Sequence, residues 1–122
     1  MQKAIKILHP GSISNVIVAK YCDNFSSQFM GLMFKNAIHD FEGLLLVQAR
    51  DSRINSAIHM LFMKFDIAVI WINSEYTVVD KTLAKPWKLA IFPTYPARFT
   101  LECHPDRLRE FHVGEKLEFS DE

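Results

Sequence analysis

The longest apolar run of the chain lies near its middle and predicts a strand that is covered on both faces. Residues 67–72 read Ile-Ala-Val-Ile-Trp-Ile, so apolar side chains occupy both of the faces that alternate along a strand. β-Branched and aromatic residues favour strands, and a strand with two apolar faces belongs in the middle of a sheet. A transmembrane helix is excluded, because His59, Lys64 and Asp66 interrupt the longer run in which this strand lies.

Similar patterns predict further strands along most of the chain. The predicted strands, including the central one, cover residues 3–8, 15–22, 43–47, 57–63, 67–72, 77–83, 98–102 and 116–119. The first two are expected to form a hairpin, and a turn at 73–76 is expected to join the strands on either side of it in a second hairpin. The polar stretch 48–55 is expected to be a loop.

Two short helices complete the predicted secondary structure. Ser26 or Ser27 can cap a helix that ends near Met33, because a hydroxyl oxygen accepts hydrogen bonds from the free amides of a first turn. Pro105 suits the start of a second helix over 104–110. These elements predict an α+β, mainly β fold with about seven to nine strands and two short helices.

Residues 84–96 differ in character and predict a long irregular loop. They contain three prolines and three aromatic residues, and proline excludes a central strand here. Long loops in small domains often carry function. The alternative is a flap that covers one end of the core with Trp87 and Phe92.

Length and composition limit the classes of protein that fit. A chain of 122 residues is expected to form a single domain over 1–122, and 49% hydrophobic residues are enough for a core. Fourteen basic and fourteen acidic residues give a formal net charge of zero, which argues against a nucleic-acid partner. Neither a signal peptide nor a membrane segment is predicted, so we expect a cytoplasmic protein without a membrane partner.

The cysteines and histidines give little support for a catalytic or metal site. In a cytoplasmic protein Cys22 and Cys103 are expected to be reduced thiols. Cys103 and His104 are adjacent, so in a strand their side chains point apart. The five histidines are scattered without metal-ligand spacing, and the four glycines form no phosphate loop. No cofactor and no metal are therefore expected.

His59 is the candidate for chemistry within the central run. On an apolar strand face an imidazole needs a hydrogen-bond partner, so His59 is interpreted as a core histidine bonded to a backbone carbonyl. The functional alternative places Asn55, Ser56 and His59 at the mouth of the sheet, in contact with a ligand. Catalysis or metal binding by His59 is the third alternative.

Polar and cationic residues near this histidine suggest a binding site. Cations, an amide, a hydroxyl and an indole around the mouth of a sheet suit an anionic small molecule or a peptide carboxylate. The candidate binding residues are Arg53, Asn55, Ser56, His59, Lys85, Trp87 and Arg98.

Three functions from different classes fit these observations. The favoured one is a non-catalytic binding module for a small anion or for a segment of a protein partner. The second is a small hydrolase or transferase that uses His59 as a base. The third is a structural domain that dimerises through the aromatic loop, so the protein is expected as a monomer or a homodimer.

Several segments, in a fixed order, resemble the domain of unknown function 192 family. The similar segments are Met-Gly-Leu-Met-Phe-Lys at 30–35, Glu-Gly-Leu-Leu-Leu-Val at 42–47, the run 55–72, Pro-Ala-Arg-Phe-Thr-Leu-Glu at 96–102 and Val-Gly-Glu-Lys-Leu at 113–117. The chain departs from the family's pattern in having Ala68 at a usually acidic position, Tyr76 at a usual glycine, and no glycine near Cys103. The resemblance implies a compact, strongly curved, barrel-like mixed sheet with short helices. It implies no established activity, cofactor or catalytic residue.

Overall fold

Seven strands form one mixed sheet in a computed structural model that describes residues 3–10, 16–23, 38 and 42–121. The strands are β1 (Ala4–Leu8), β2 (Ile17–Cys22), β3 (Glu42–Ser52), β4 (Ile67–Ile72), β5 (Val78–Ala84), β6 (Ala97–Cys103) and β7 (Glu118–Asp121). Their order across the sheet is β5-β4-β6-β3-β2-β1-β7. Only β2 and β3 pair in parallel, and the other neighbours are antiparallel. The predicted mainly β fold is confirmed.

The sheet curls until its two edge regions meet through a few backbone bonds. Thr77 and Lys116, next to β5 and β7, form an isolated bridge. The Leu117 N–H donates to the Tyr76 carbonyl at 2.9 Å, and the Val78 N–H donates to the Glu115 carbonyl at 2.9 Å. A turn with Gly114 at φ +98° allows this return of the chain. The sheet is therefore barrel-like without a continuous ladder between its edges.

Alternating side chains of the strands fill two cores, one on each face of the sheet. In β4 Ala68, Ile70 and Ile72 join one cluster, which we call the inner core, and Ile67, Val69 and Trp71 join the other, which we call the outer core. The ring centres of Phe99 in β6 and Phe119 in β7 are 5.1 Å apart, although three strands separate β6 from β7 in the sheet. The face that carries the inner core is therefore concave. All six residues of β4 are buried, which confirms a strand covered on both faces.

The prediction of a strand over 57–63 is wrong. This segment forms only an isolated bridge between Ile58 and Ile91, and it then makes a turn in which the Met63 N–H donates to the Met60 carbonyl at 3.3 Å. Phe62 in that turn has φ +62°, which no strand accepts. The segment is apolar because it is anchored to the body of the protein, with Ile58, Met60 and Met63 buried in the outer core.

The predicted loop over 48–55 is also partly wrong, because β3 continues to Ser52. Pairing with β6 is regular up to Val47 and resumes only at Ser52 opposite Ala97, across a register shift. The polar residues of this part are exposed or half-buried, because the strand leaves the covered part of the sheet. The polar residues at 48–52 reflect exposure of the strand to solvent, and they do not exclude a strand.

The predicted loop over 84–96 and the second predicted helix agree with the structure to within one residue at their starts. Residues 85–96 are irregular apart from the bridge at Ile91. The helix expected over 104–110 is a 3-10 helix, Pro105–Glu110, whose first turn is capped by the His104 ring. The helix expected near Ser26 to Met33 lies outside the described residues. Cys22 and Cys103 are buried thiols, Cys22 in the outer core and Cys103 in the inner core.

Candidate functional site

The seven candidate binding residues occupy three places in the fold. Arg53, Asn55 and Ser56 lie in the turn that follows β3. His59, Lys85 and Trp87 lie in two irregular segments that run side by side. Arg98 lies in β6 and lines a cleft to which none of the other six contributes.

The turn after β3 is tied to the core by backbone atoms. Ser56 is only 1% exposed, and its hydroxyl donates to the Ser52 carbonyl. The Ser56 carbonyl accepts from Trp71 Nε1 at 2.8 Å and from Thr100 Oγ1 at 3.0 Å. Arg53 Nε donates to the Pro93 carbonyl at 2.9 Å, which links the turn to the long loop. These contacts give the turn a supporting role, since they satisfy buried polar groups.

His59 is half-buried and accepts a hydrogen bond through Nδ1 from the Leu61 N–H at 3.2 Å. The interpretation as a core histidine bonded to a backbone carbonyl is not confirmed, because the ring is half-buried in an irregular segment and the partner of Nδ1 is a backbone amide. Because Nδ1 accepts, the proton of the neutral ring belongs on Nε2. Nearby Lys85 Nζ bonds to Asp66 Oδ2 at 2.7 Å, and the Trp87 N–H donates to the Met60 carbonyl at 2.7 Å.

The cleft beside Arg98 has a volume of about 460 Å³ and opens at one end of the curled sheet. Strands β1, β2, β6 and β7 and the turn between β4 and β5 all contribute to its wall. Its aromatic rings are those of Tyr21, Tyr76, Phe99 and Phe119, and its charged groups are those of Lys3, Arg98 and Asp121.

Three of the rings pack on one another and make a firm wall. Tyr76 stacks on Phe99 at 5.6 Å with an interplanar angle of 18°. Phe119 meets Tyr76 and Phe99 edge-on at 5.0 and 5.1 Å. Tyr76 holds its place with φ +62°, a backbone conformation that is costly for a large side chain. The ring contacts offset part of this cost.

The cationic groups of the cleft lie against ring faces. The Arg98 guanidinium carbon is 5.1 Å from the centre of the Phe99 ring, and Arg98 Nε donates to the Gln48 carbonyl at 3.0 Å. No hydrogen bond within the described part of the chain uses the terminal nitrogens of Arg98. Lys3 Nζ lies 4.7 Å from the Tyr21 ring and 3.9 Å from Asp121 Oδ1. That ion pair is exposed and contributes little.

Glu102 is a buried acid that the sequence pattern did not reveal. It lies in β6 opposite Leu44 of β3 and Val69 of β4, so it belongs to the outer face. It is 7% exposed, and burial raises the pKa of its carboxyl to about 7. Arg98, Thr100 and Glu102 alternate with apolar residues, a pattern typical of a solvent-facing row. The structure buries Thr100 and Glu102 of this row under the outer core.

A nucleophile based on Cys103 does not fit the structure. Burial raises the pKa of the Cys103 thiol to about 12, so the thiolate is scarce near neutral pH. The neighbouring His104 ring accepts from the Asp106 N–H at 3.1 Å as the cap of the 3-10 helix. Among residues 3–10, 16–23, 38 and 42–121, no group of three or more histidine, cysteine or acidic residues is arranged to hold a metal ion.

At the other end of the sheet, His9 and Glu115 form a partly buried pair. His9 Nδ1 lies 3.2 Å from Glu115 Oε2, and the His9 ring packs on Phe111 at 4.8 Å. His9 Nε2 is buried without a hydrogen-bond partner in the described structure. Glu115 also accepts from the His112 N–H at 2.9 Å, so the pair ties β1 to the turn before β7.

Within the described part of the chain, no helix has the length and apolar character needed to cross a bilayer.

Comparison with known proteins identifies relatives over most of the chain. The family model described as uncharacterised ACR, domain of unknown function 192, matches residues 6–119. A UPF0127 protein of Pyrococcus furiosus is 37% identical over 106 residues, which are 85% of this chain and 88% of that protein. A UPF0127 protein of Thermococcus kodakarensis is 39% identical over 97 residues, which are 79% of this chain and 59% of that longer protein.

A solved structure with low sequence identity has the same fold. A Sinorhizobium meliloti protein, provisionally described as a transcription regulator, superposes with a TM-score of 0.80 over 99% of this chain and 94% of its own, at 14% identity. At this identity the likeness shows the fold alone. The family match and the archaeal relatives carry the assignment, and the chain belongs to the domain of unknown function 192 family, whose relatives named here are called UPF0127 proteins.

Proposed function

We propose that the protein is a non-catalytic binding module that takes a small anion with a flat apolar body in the Arg98 cleft. One observation carries the proposal. A guanidinium group, whose terminal nitrogens make no hydrogen bond to the described residues, lies on an aromatic ring at the wall of a cleft of about 460 Å³. That volume lies in the range of small-molecule sites, which is roughly 300–1,000 Å³.

The charge of the cleft favours a ligand with a single negative charge. Among the described lining residues, two cations, Lys3 and Arg98, and one acid, Asp121, leave an excess of one positive charge. The planar fork of arginine matches a carboxylate or a phosphate with two parallel hydrogen bonds. Tyr21 and Tyr76 add aromatic surface that a flat ring can contact beside that anionic group, although Lys3 lies over the Tyr21 ring and Phe99 stacks on one face of Tyr76. The class of ligand that fits best is therefore an aromatic or similarly flat monocarboxylate.

The lining supports binding without catalysis. None of the described lining residues is a histidine or a cysteine, which are the usual partners in an activated nucleophile. The buried acid Glu102 does not line the cleft. Of the seven residues predicted from the sequence, the proposal uses Arg98, and a binding role for the other six stays a prediction.

The test is a binding titration with a panel of aromatic monocarboxylates, aliphatic monocarboxylates and aromatic amines of matched size. We expect the aromatic carboxylates to bind, and Arg98→Ala to weaken them by about tenfold or more, because a charge-assisted hydrogen bond contributes about 1.5–3 kcal/mol. Arg53→Ala is the matched control, since it also removes an arginine whose Nε bonds to a backbone carbonyl. Affinity is measured by calorimetry or by ligand-detected NMR.

Two further variants separate binding from folding. Arg98→Lys keeps the charge but loses the fork, so its affinity should fall between those of the wild type and Arg98→Ala. Circular dichroism and the melting temperature of each variant check that the sheet is intact. Equal losses in Arg98→Ala and Arg53→Ala, or equal binding of aromatic amines, would contradict the proposal.

A further inference from the structure

Two irregular segments, 57–65 and 85–92, form a ridge outside the sheet that backbone hydrogen bonds hold together. The Ile58 N–H donates to the Ile91 carbonyl at 3.0 Å, and the Ile91 N–H donates back to the Ile58 carbonyl at 2.9 Å. The Met60 N–H donates to the Lys88 carbonyl at 2.8 Å, and the Met60 carbonyl accepts from the Trp87 N–H at 2.7 Å. Met60 is buried in the outer core, so these bonds fix both segments to the body of the protein.

The ridge presents two large aromatic rings to solvent from an unfavourable backbone. Phe62 has φ +62° and Trp87 has φ +70°, although bulky residues rarely adopt the left-handed region. Their rings pack edge-to-face at 5.1 Å, and their exposed fractions are 43% and 58%. Strain of this kind persists where the surroundings fix it, and it is concentrated at binding and active sites. Here the strained backbone fixes a pair of exposed rings, which we call the Phe62–Trp87 pair.

The two segments that carry this pair contain charged residues of one sign. Residues 57–65 and 85–92 contain three lysines and no acidic residue, in a chain whose formal net charge is zero. Lys64, Lys85 and Lys88 are all exposed, and Asp66, next to the first segment, bonds to Lys85 at 2.7 Å. Lys88 directly follows Trp87, so a positive charge lies beside the fixed aromatic rings.

From these observations we infer that the Phe62–Trp87 pair is a docking site for an acidic peptide segment of another protein. An apolar side chain of the segment packs on the two rings, and a carboxylate of the segment lies beside Lys88. Exposed aromatic residues in fixed positions are the usual energetic centre of a protein interface. The lysines at its rim steer an acidic partner and add salt dependence. This site is separate from the Arg98 cleft and does not depend on the function proposed for that cleft.

Charge and geometry argue against two other occupants. A second copy of this chain would place the same lysines against each other, because a two-fold interface uses one surface twice. A bilayer accepts aromatic side chains in many arrangements, so it gains little from rings held at a fixed angle. A partner with its own defined side chain gains from such preorganisation.

The experiment selects ligands from a phage-displayed library of random twelve-residue peptides. The library is panned in parallel on the wild type and on the Phe62→Ala/Trp87→Ala double variant. We expect peptides with acidic residues around an aromatic or leucine residue to be enriched on the wild type alone. A synthetic copy of the most enriched peptide is then titrated by fluorescence anisotropy.

Single variants keep the inference open to refutation if the double variant does not fold. Lys88→Glu leaves the ring pair in place and should weaken the acidic peptide at least fivefold. Tyr95→Ala removes an exposed aromatic residue of the same loop from outside the pair and should change the affinity less than twofold. Raising the salt concentration from 0.1 M to 0.5 M should weaken the peptide further.

Other outcomes overturn the inference. Enrichment of basic peptides, or equal enrichment on the wild type and the double variant, contradicts an acidic partner. Binding of the wild type to phosphatidylserine-containing vesicles, with loss in Trp87→Ala and no peptide enrichment, assigns the ridge to a membrane. A dimer that dissociates in Trp87→Ala assigns it to a second copy. If no ligand binds in the Arg98 cleft but the acidic peptide still binds at the Phe62–Trp87 pair, only the proposed function is contradicted.

Discussion

At the scale of single residues, burial of Glu102 makes the free energy of unfolding depend on pH. Its carboxyl lies among the apolar side chains of the outer face, and no hydrogen bond within the described structure involves it. Burial raises its pKa from 4.5 to about 7. Below pH 4.5 the group is neutral in the folded and unfolded states. Between pH 4.5 and about 7 only the unfolded state ionises, so folding becomes less favourable as the pH rises.

We therefore predict that Glu102→Gln removes a pH-dependent loss of stability. As the pH rises from 5 to 8, the free energy of unfolding of the variant should increase relative to that of the wild type by up to about 3 kcal/mol, because each pKa unit corresponds to about 1.4 kcal/mol. The measurement is the free energy of unfolding in urea at several pH values. Glu118→Gln, at an exposed position of β7, is the control and should leave the curve unchanged. A difference between Glu102→Gln and wild type that is constant over this pH range would rule the account out.

The two thiols should be inert in the folded protein. Cys22 and Cys103 are both buried, and burial raises the pKa of Cys103 to about 12. A thiol reagent added at pH 8 should react with neither cysteine until the protein is unfolded, when both should titrate. The kinetics are followed by the absorbance of the released chromophore. Rapid reaction of one thiol with native protein would show that its surroundings are open to solvent.

The sequence does not indicate the positive φ angles that Tyr76 and Phe62 adopt. The resemblance to the family predicts glycine at position 76, and φ +62° at Tyr76 explains why glycine suits this turn. The tyrosine found here adds a ring to the wall of the Arg98 cleft. The left-handed conformation of Phe62 is likewise not indicated by its residue type. For this reason the apolar run 57–63 predicts a strand that the structure lacks.

At the scale of elements, Asp80 protects an edge of the sheet. Strand β5 lies at the edge, where free amides invite pairing with another chain. Asp80 Oδ1 accepts from the Lys81 N–H at 2.8 Å, and Asp80 Oδ2 accepts from the Thr94 N–H and Oγ1 at 2.7 and 2.8 Å. One carboxylate thus blocks an edge amide and holds the long loop against β5.

We predict that Asp80→Ala destabilises the protein and makes it prone to aggregation. Three hydrogen bonds to a charged group are lost, and the expected change is about 1–3 kcal/mol, because exposure to water reduces the value of each bond. The free energy of unfolding and light scattering at rising protein concentration measure the two effects. Glu75→Ala, another exposed acid, should affect neither. Unchanged scattering in Asp80→Ala would show that the edge is protected by other means.

Elements were predictable where their side-chain pattern matches burial, and unpredictable where it does not. Strand β4 was identified because apolar residues fill both of its faces. Strand β5 was identified within one residue at each end, because a turn at 73–76 precedes it. The outer half of β3 was missed, because exposed polar residues remove the apolar signal without breaking the strand.

At the scale of the whole molecule, the sheet order determines which residues meet. The chain gives no sign that β6 lies between β4 and β3, or that β1 pairs with β7. The predicted binding site therefore joins a cluster at 53–59 to Lys85, Trp87 and Arg98 without knowledge of which strands are neighbours. The cleft instead combines Lys3 with Arg98 and Asp121, which the curl of the sheet brings together from distant parts of the chain.

The pairing of β1 with β7 also bears on the order of events during synthesis. The wall of the Arg98 cleft includes Lys3 beside β1 and Phe119 in β7, so it is complete only after the last strand has been made and has paired with the first. Contacts over such sequence separations form late and slow the folding of β proteins. If the cleft binds the proposed ligand, that ligand meets a complete wall only after β7 has paired with β1, and it stabilises only the folded sheet.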